Sequence, residues 1–341
     1  MSTAYYADLG RLTDLAMAYR SAKPLLAALH YDLFTWIERG VDKPETIAAR
    51  LELDAPAVRR VLDALVALKW LVKRGGRYAN TRAGRRLLVA GSPDSVAHNL
   101  KYQEHTWDAW SDLKEVMRTG RPRLGLQDWI RRDFFTADYL KAMGDITRHP
   151  ARELARKLGW AGVTRSLDVG SGAGNFSAAF AERAPKLTAT LLDLPQALDV
   201  TRRLLGGLPQ AARFEFRAAD YLRDELGREE FDLVLISNVT RVENEEVNRM
   251  LVAKAWRALR PGGRLVIHDY VIGRDRTAPK FPALLNVHLL VFTGKGKAYT
   301  AREYRDWMRG AGFRAAASIP IALESPFPSL AVIGRKPLGS R

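Results

Sequence analysis

The residues whose spacing points most directly to ligand chemistry are three glycines at alternate positions, Gly170, Gly172 and Gly174. They follow an apolar stretch that contains Asp168 and precede the helical pattern of residues 176–183. Glycines at such a bend let the backbone approach a ligand closely, and the N-terminus of the next helix carries partial positive charge. The G-x-G-x-G spacing differs from the dinucleotide fingerprint G-x-G-x-x-G, so the motif alone does not identify the ligand.

Acidic residues further along the chain suit a nucleoside beside this turn. Asp193 closes the stretch 187–192, about twenty residues after the glycines, where nucleotide-binding folds place a carboxylate on the ribose hydroxyls. Asp220 and Tyr221 close the stretch 214–219, where an acid can accept an adenine amine and a ring can lie on the base. Acids at successive strand ends therefore predict one shared ligand site.

The elements that must position these residues alternate between β-rich segments and helical patterns. This alternation predicts an α/β fold with a parallel, doubly wound sheet, whose ligands bind beyond the carboxyl ends of the strands. Arg260-Pro261-Gly262-Gly263 follows the helical pattern 245–259 and is typical of a helix stop and a turn. The later predicted strands are 187–192, 214–219, 231–237, 264–268, 313–317 and 329–335, the last two forming an antiparallel hairpin.

Together these residues resemble a class I S-adenosylmethionine (SAM) methyltransferase of the two-domain small-molecule type. That group includes caffeic-acid-type O-methyltransferases and bacterial tailoring methyltransferases. The resemblance implies a Rossmann-like doubly wound sheet of the seven-stranded methyltransferase type and an N-terminal winged-helix-like, mainly helical dimerisation domain. It runs from about Leu9 to Lys336, and the segments that carry it are Leu167–Gly174, Leu192–Pro195, Asp220-Tyr221, Leu259–Leu265 and Ala311–Phe313.

The resemblance also implies three parts of the chain: residues 1–105 as the dimerisation domain, 106–160 as a helical linker that forms part of the acceptor pocket, and 161–341 as the SAM-binding domain. Residues 45–79 show the helix, turn, helix and hairpin pattern of a winged helix, a fold that often binds DNA. The second helix is apolar over much of its circumference, which favours burial over a DNA groove. In the resembled family this region pairs two subunits, so we expect a homodimer.

The same resemblance implies the roles of individual residues. Gly170, Gly172 and Gly174 would lie under the methionine part of SAM, and Asp168 precedes them. Asp193 would hold the ribose with Leu194 beside the adenine, Asp220 and Tyr221 would bind the adenine, and Ser237 stands where many relatives have a lysine near the cofactor. The implied acceptor is flat and aromatic, and its pocket residues are Tyr139, Met143, Ile146, Asn286, Leu289 and Thr293.

Catalysis is the point at which the chain departs from the family pattern. A phenol has a pKa of about 10, so its methylation benefits from a general base, usually His. Plant-type relatives have that His after the fourth strand, but Arg241 stands at the matching position, and a guanidinium cannot act as a base. Three interpretations stay open: His288, His268 or His149 is the base; Arg241 binds an acidic acceptor that needs no base; or Arg241 points to solvent.

Composition adds further limits. The length of 341 residues suggests two domains, and the absence of cysteine excludes disulfides and thiolate metal sites. The net charge of +16 is spread along the chain, with its densest run at Lys69–Arg86, which we interpret as a solvated basic surface that does not bind nucleic acid. Neither a signal peptide nor a membrane-length apolar run is evident, so we expect a cytoplasmic enzyme that does not bind membranes.

Several alternatives remain beside O-methylation of an aromatic or polyketide-like acceptor. They are N- or C-methylation of an acidic heteroaromatic acceptor without a general base, a different reaction on the same fold, a SAM-binding or DNA-binding regulator, and a catalytically inactive scaffold. Asn238 and Asp269 follow strand ends and could be imagined as Mg²⁺ ligands. The resembled group is usually independent of metal, so we expect no metal site.

Overall fold

The computed structural model of the chain describes residues 3–125 and 133–338, without the side chains of 133–136 and 315–316. Its internal contacts divide it into two compact units, Met1–Thr106 and Trp107–Arg341. Each unit has a buried apolar core of its own. The segment 107–157 therefore groups with the second unit.

The first unit is mainly helical. Asp54 accepts a hydrogen bond from the Ala57 amide at 2.8 Å and so caps the helix that follows it, as the sequence predicts. That helix, α5, buries Val58, Leu62 and Leu65 in the core of the unit. The elements are α1 Thr3–Ala16, α2 Tyr19–His30, α3 Leu33–Glu38, α4 Pro44–Leu51, α5 Ala55–Ala67, β1 Leu71–Arg74, β2 Arg77–Asn80 and α6 Arg82–Leu88, and α7 Ala97–Ser111 begins in this unit and ends in the second.

The predicted hairpin of this unit is present. Strands β1 and β2 pair antiparallel through Gly75 and Gly76, whose φ angles of 53° and 76° need glycine. Together with α4 and α5 they give the winged-helix-like arrangement. Because Leu62 and Leu65 of α5 are fully buried, this helix contributes to the core of the unit.

The second unit is built on a seven-stranded sheet with the order β5-β4-β3-β6-β7-β9-β8. Strands β3 to β7 pair in parallel, whereas β9 runs antiparallel to both β7 and β8. The strand order reverses at β3, which lies between β4 and β6, and this reversal creates a crevice at the strand ends. The strands are β3 Arg165–Val169, β4 Thr188–Asp193, β5 Phe214–Ala218, β6 Phe231–Ser237, β7 Leu259–Asp269, β8 Arg314–Ile321 and β9 Ser329–Arg335.

One strand differs from its prediction. β7 begins at Leu259, before the predicted turn, and its pairing with β6 is irregular between Phe231 and Leu233. Gly262 has a φ of 82°, so the backbone bends within the strand. The predicted turn is therefore a bulge inside β7.

Helices cover both faces of this sheet. Along β6, Leu233 and Leu235 pack in one core cluster while Val234 and Ile236 pack in another, because successive side chains of a strand point to opposite faces. No helix in the described residues is both long and apolar enough to cross a membrane. The helices are α8 Leu113–Thr119, α9 Asp133–Lys157, α10 Asn175–Arg183, α11 Pro195–Leu205, α12 Glu245–Ala258, α13 Lys280–Thr293 and α14 Ala301–Gly310, with 3-10 turns at Ala211–Arg213 and Thr240–Val242.

Candidate active site

A cavity opens in the second unit where β3 to β6 end, at the point where the strand order reverses. The predicted acceptor residues Tyr139, Met143 and Ile146 line it, and so does Arg241. Among the described residues, His288, Asn286, Leu289, Thr293 and Gly174 are the predicted site residues that do not line it. The predicted cofactor residues on its wall are Asp168, Gly170, Gly172, Asp193, Leu194, Asp220, Tyr221 and Ser237.

The three glycines have different surroundings: Gly170 and Gly172 line the cavity, whereas Gly174 does not. All have left-handed φ angles, 66° at Gly170, 53° at Gly172 and 76° at Gly174. A side chain at Gly174 would lie 2.6 Å from Leu205 Cδ1, so this glycine is needed for the packing of α11. At Gly172 the nearest atom would be Leu140 Cδ2 at 3.6 Å, an ordinary van der Waals distance, so a side chain would meet no close contact there.

Asp193 holds the glycine turn against the end of β4. One carboxylate oxygen accepts a hydrogen bond from the Gly172 amide at 2.9 Å, and the other accepts one from the Leu194 amide at 2.8 Å. Burial raises the pKa of Asp193, although both amide hydrogen bonds oppose this shift. A carboxylate offers about four lone-pair sites, so both oxygens keep capacity for the hydroxyls of a ligand.

Asp168 is a buried carboxyl on the cavity wall. It accepts a hydrogen bond from the Ser177 hydroxyl at 2.8 Å. Burial raises its pKa to about 7, while Ser177 opposes the shift and the nearby charge of Asp193 adds to it. The carboxyl therefore titrates near neutral pH, and a cationic ligand beside it would favour the ionised form.

Asp220 and Tyr221 form the wall at the end of β5. The carboxylate of Asp220 accepts a hydrogen bond from the Leu222 amide at 2.9 Å, which fixes the turn after the strand. The hydroxyl of Tyr221 donates to Glu243 at 3.1 Å, and burial raises the pKa of this phenol well above its usual value. The Tyr221 ring is thus held at the cavity by its hydroxyl.

The predicted acceptor side of the cavity comes from α9. Tyr139, Met143 and Ile146 are spaced by four and three residues, so they share one face of this helix, and that face lines the cavity. Burial raises the pKa of Tyr139, against the effect of the nearby Arg241 charge. The linker and the strand ends therefore meet in one cavity within the second unit.

Asn175 ties this helix to the glycine turn, and the sequence reasoning missed it. Its amide group donates to the Gly144 carbonyl at 2.6 Å and to the Thr147 hydroxyl at 2.9 Å. The one signal for it in the sequence is its position directly after the third glycine. Asn175 fixes the distance between the cofactor side and the α9 side of the cavity.

Arg241 is buried in the cavity wall with 7% of its surface exposed, so the interpretation that it points to solvent is wrong. Its Nη1 donates to Asp269 at 2.9 Å and to the Asn238 side-chain oxygen, and its guanidinium lies 5.1 Å from the Tyr270 ring centre. Burial alone lowers the pKa of Arg241, but the Asp269 charge raises it overall, which keeps the group protonated. Asn238 and Asp269, the imagined metal ligands, instead hold Arg241.

His288 lies half-buried on α13. The indole N–H of Trp110 donates to its Nδ1 at 3.2 Å, and its ring stacks on Phe292 with centres 4.4 Å apart. Burial lowers the pKa of His288 to about 4, with the Arg241 charge adding to the shift, so the ring is neutral near pH 7. Because an indole only donates, the neutral ring carries its proton on Nε2 and presents a donor there.

The other two candidate bases have different surroundings. His268 is fully buried between the hydroxyls of Ser237, 2.9 Å from Nδ1, and Ser329, 2.8 Å from Nε2. Burial lowers its pKa to about 4, so it acts as a neutral link between strands. His149 is exposed on α9. Neither residue lines the cavity within the described part of the chain.

The polar residues predicted on α13 hold the segment that follows this helix. Asn286 accepts a hydrogen bond from the Ala298 amide at 2.6 Å. The Thr293 hydroxyl donates to the Leu289 carbonyl at 2.8 Å and accepts from the Gly296 amide at 2.7 Å. Leu289 itself is 3% exposed. Contact of these residues with an acceptor stays a prediction.

The basic run Lys69–Arg86 is largely balanced by carboxylates of the first unit. Arg77 pairs with Asp42 and Arg86 with Asp94. Lys73 pairs with Asp63 and Arg85 with Glu38 in the same way. Charge that is neutralised locally attracts phosphate weakly, which disfavours nucleic-acid binding by this surface.

The residues of the cavity wall suit the chemical groups of SAM. SAM carries a cationic ammonium and sulfonium, a ribose diol and an adenine amine, and three carboxyls, Asp168, Asp193 and Asp220, lie along the wall in strand order. Gly172 lines the cavity without a side chain, which lets a ligand approach the backbone. The residues present therefore fit this cofactor.

Comparisons with known proteins agree with this fit. The O-methyltransferase domain family matches residues 110–314, and the O-methyltransferase dimerisation domain family matches residues 13–90. The chain is 32% identical over 307 residues to the 3-hydroxy-5-methyl-1-naphthoate 3-O-methyltransferase of Streptomyces sahachiroi, with 88% of each chain covered. It is 26% identical to the tetracenomycin polyketide synthesis 8-O-methyl transferase TcmO of Streptomyces glaucescens, covering 96% of this chain and 97% of that one.

The fold is shared with solved structures. The crystal structure of human N-acetylserotonin methyltransferase in complex with SAM matches with a TM-score of 0.87 and 22% identity, covering 99% of both chains. The family match alone spans more than half of the chain. The chain therefore belongs to the O-methyltransferase family, with an N-terminal dimerisation domain, and is a SAM-dependent methyltransferase.

Proposed function

We propose that the enzyme methylates a hydroxyl of a small aromatic acceptor that also carries an ionised oxygen, and that Arg241 binds this oxygen. The observation that supports it most is a charged guanidinium in the cavity wall. Arg241 donates through Nη1, while its Nε and Nη2 donate to no atom of the described residues. A guanidinium suits a carboxylate or phenolate because it can donate two parallel hydrogen bonds.

The related Streptomyces sahachiroi enzyme supports this acceptor class. Its named acceptor, 3-hydroxy-5-methyl-1-naphthoate, combines an aromatic hydroxyl with a carboxylate. TcmO, the second relative, is named for O-methylation in polyketide synthesis. An aromatic or polyketide-like hydroxyl acceptor therefore suits both the cavity and these relatives.

The mechanism follows from charge and alignment. When bound, SAM supplies a methyl group on a sulfonium, which an oxygen nucleophile takes by in-line displacement. Arg241 binds the ionised oxygen of the acceptor and thereby aligns the reacting hydroxyl, and its positive charge favours ionisation of that hydroxyl, whose proton leaves to solvent. His288 does not line the cavity, and we assign it a supporting role: its Nδ1 accepts from Trp110 and its ring stacks on Phe292, which fixes α13 beside the pocket. Tyr139 and Met143 exclude water and hold the aromatic plane.

The cofactor roles follow the wall of the cavity. Asp168 lies beside the cationic methionine part, and the turn Gly170–Gly174 passes beneath it. Asp193 accepts the ribose hydroxyls, with Leu194 beside the adenine and Ser237 at the end of β6. Asp220 and Tyr221 contact the adenine. All of these residues except Gly174 line the cavity, which supports these assignments.

The acceptor roles are divided between two helices. Tyr139, Met143 and Ile146 form the wall on α9. Asn286, Leu289 and Thr293 shape the far end of the pocket from α13, by fixing the helix and the segment after it. This division puts the planar part of the acceptor against α9.

We also propose that the enzyme is a homodimer through its first unit. The dimerisation domain family matches residues 13–90, and α1 has no buried residue of its own. Tyr5, Leu9 and Leu12 are 51%, 42% and 64% exposed and lie on one face of α1. A second copy would cover this apolar face.

A matched pair of acceptors tests the role of Arg241. We expect the enzyme to prefer 3-hydroxy-5-methyl-1-naphthoate over its methyl ester, by about tenfold or more in kcat/KM, because a hydrogen bond to a charged group contributes ~1.5–3 kcal/mol. Arg241→Gln should remove most of this preference and change the dissociation constant of S-adenosylhomocysteine (SAH) less than about threefold. Mass detection of the methylated product gives kcat/KM for each acceptor, and calorimetry gives the dissociation constant of SAH.

The preference ratio is insensitive to partial unfolding, because both acceptors sample the same folded fraction. His288→Gln is the matched control: we expect it to change the turnover of both acceptors alike and so to leave the ratio unchanged. An acid-to-ester ratio near one in the unmodified enzyme, or an unchanged ratio in Arg241→Gln, would rule out the proposed role.

A further inference from the structure

Glu243 is a buried carboxylate that the mechanism does not use, two residues after Arg241. It is 1% exposed. Its carboxylate accepts from the Tyr221 hydroxyl at 3.1 Å and pairs with the Lys295 ammonium. Its carbonyl accepts from the Tyr299 hydroxyl at 2.7 Å. Because an unpaired buried charge is costly, these partners hold the backbone of Glu243 firmly in place.

Lys295 belongs to a tight turn, 293–296, that follows α13. The Gly296 amide donates to the Thr293 hydroxyl at 2.7 Å, which closes this turn. A side chain at Gly296 would collide with the Arg241 carbonyl oxygen and lie 3.0 Å from Val242 Cα. The 293–296 turn therefore packs directly on the backbone of the turn that carries Arg241, and neither can shift alone.

These contacts connect two sides of the cavity. Tyr221 lines the side assigned to the cofactor, and Arg241 lines the side assigned to the acceptor. We propose that Glu243 and Lys295 are positioning residues. Through them, binding of the cofactor beside Tyr221 fixes the position of Arg241. This inference rests on the proposed function, which puts the cofactor adenine beside Tyr221 and the acceptor beside Arg241.

The physical basis is the shared carboxylate. A ligand against the Tyr221 ring restricts that ring and keeps its hydroxyl on Glu243, which fixes the carboxylate between two donors. Lys295, whose side chain is 42% exposed, forms its ion pair with Glu243 from the solvent side. Cofactor binding thus orders the Lys295 turn and, through Gly296, the Arg241 carbonyl.

Hydrogen–deuterium exchange of the intact enzyme with and without SAH tests this coupling without an acceptor. In the unmodified enzyme we expect SAH to slow exchange about tenfold in peptides that cover residues 239–243 and 293–298. Lys295→Met should abolish the SAH-induced protection of both peptides, while the SAH dissociation constant changes less than about threefold. Glu243→Gln, which keeps the shape but loses the charge, should have the same effect.

The chain offers a close control. Lys297 lies in the same segment, is 43% exposed and is 3.7 Å from Glu303, so Lys297→Met removes a similar charge with a different partner. We expect Lys297→Met to keep the SAH-induced protection. Lys295→Arg, which retains the positive charge, should keep it as well. Subtracting the exchange without SAH removes any general loosening of the fold.

Two results overturn the inference: SAH-induced protection that survives in Lys295→Met, or SAH binding to the unmodified enzyme without protection of these peptides. Both leave the proposed function intact. Failure of the unmodified enzyme to bind SAH would contradict the proposed function as well, so calorimetry separates the two failures.

Discussion

Arg241 is the residue at which we propose that this enzyme departs from base-assisted methyl transfer. It forms a buried ion pair with Asp269, which is 0% exposed and also accepts from the Thr240 hydroxyl at 2.8 Å. Removing one partner of such a pair leaves a buried charge that costs about 3–5 kcal/mol. Arg241 is therefore constrained by folding as well as by chemistry, which is why its test needs a ratio between two acceptors.

Asp168 gives a prediction on pH dependence. Its pKa is raised to about 7 in the folded enzyme, mainly by burial, so in the free enzyme the carboxyl is largely protonated at about pH 6. Cationic SAM favours the ionised form. We expect SAM affinity to rise nearly tenfold between about pH 5.5 and 6.5, with release of a proton on binding, measured by calorimetry in buffers of different ionisation enthalpy.

Asp168→Asn is the control for this prediction, because it keeps the shape and removes the titration. Its SAM affinity should be weaker and constant over the same pH range, which also separates titration of Asp168 from titration of the ligand.

The stability of the folded enzyme should depend on pH in the opposite direction to its SAM affinity. A folded pKa above the unfolded value stabilises the enzyme in acid, and this contribution is lost as the pH rises through about 7. An unmodified enzyme with pH-independent SAM affinity would refute the assignment.

At the scale of elements, two glycines of the same turn have different tasks: Gly174 allows close packing, and Gly172 leaves room for the ligand. Gly174→Ala places a methyl group 2.6 Å from Leu205 Cδ1 at a φ of 76°, so we expect a loss of about 2–3 kcal/mol of stability in urea unfolding. Gly172→Ala has the backbone strain without a close contact and fills the cavity side instead. It should lose less stability and weaken SAH binding more than Gly174→Ala.

The two alanine variants serve as controls for each other, since both add one methyl group at a left-handed glycine of the same turn. Equal losses of stability and of SAH affinity in the two variants would show that Gly174 and Gly172 do not have these different tasks.

The elements around this turn are predictable because their signals are local. Alternating apolar residues and the acids that end β4 and β5 lie within a few positions of each other, so the amino-acid sequence alone places Asp193 and Asp220 at strand ends. The bulge in β7 was predicted as a turn, since Pro261 and Gly262 have the same local signature in both cases.

The contacts that join distant parts of the chain carry no such signal. Arg241 and Asp269 are 28 residues apart, and Trp110 and His288 are 178 apart. The sequence alone shows that the residue at position 241 cannot act as a base. The burial of Arg241 and its pairing with Asp269 depend on how β6 and β7 lie side by side. The burial of Glu243 depends likewise on elements far apart in sequence.

At the scale of the whole molecule, α1 is the element that a single chain leaves incomplete. None of its residues is buried, yet Tyr5, Leu9 and Leu12 repeat at intervals of four and three, the spacing of one helix face. The apolar side of a helix is normally stabilised by packing, so an exposed apolar face indicates a binding partner. The match to a dimerisation domain begins at residue 13, directly after this face, so we expect a second copy of the chain to cover it.

Leu12→Asp tests this assembly. Because Leu12 is 64% exposed, the change should cost the folded monomer less than about 0.5 kcal/mol, whereas a charge buried at a subunit interface costs several. Light scattering should show the unmodified enzyme at twice the 38.2 kDa chain mass and Leu12→Asp shifted towards one chain mass. Asp14→Lys changes a charge on the opposite face of α1 and should stay dimeric. An unmodified enzyme that is monomeric at all concentrations, or a Leu12→Asp variant that dimerises equally well, would contradict the homodimer.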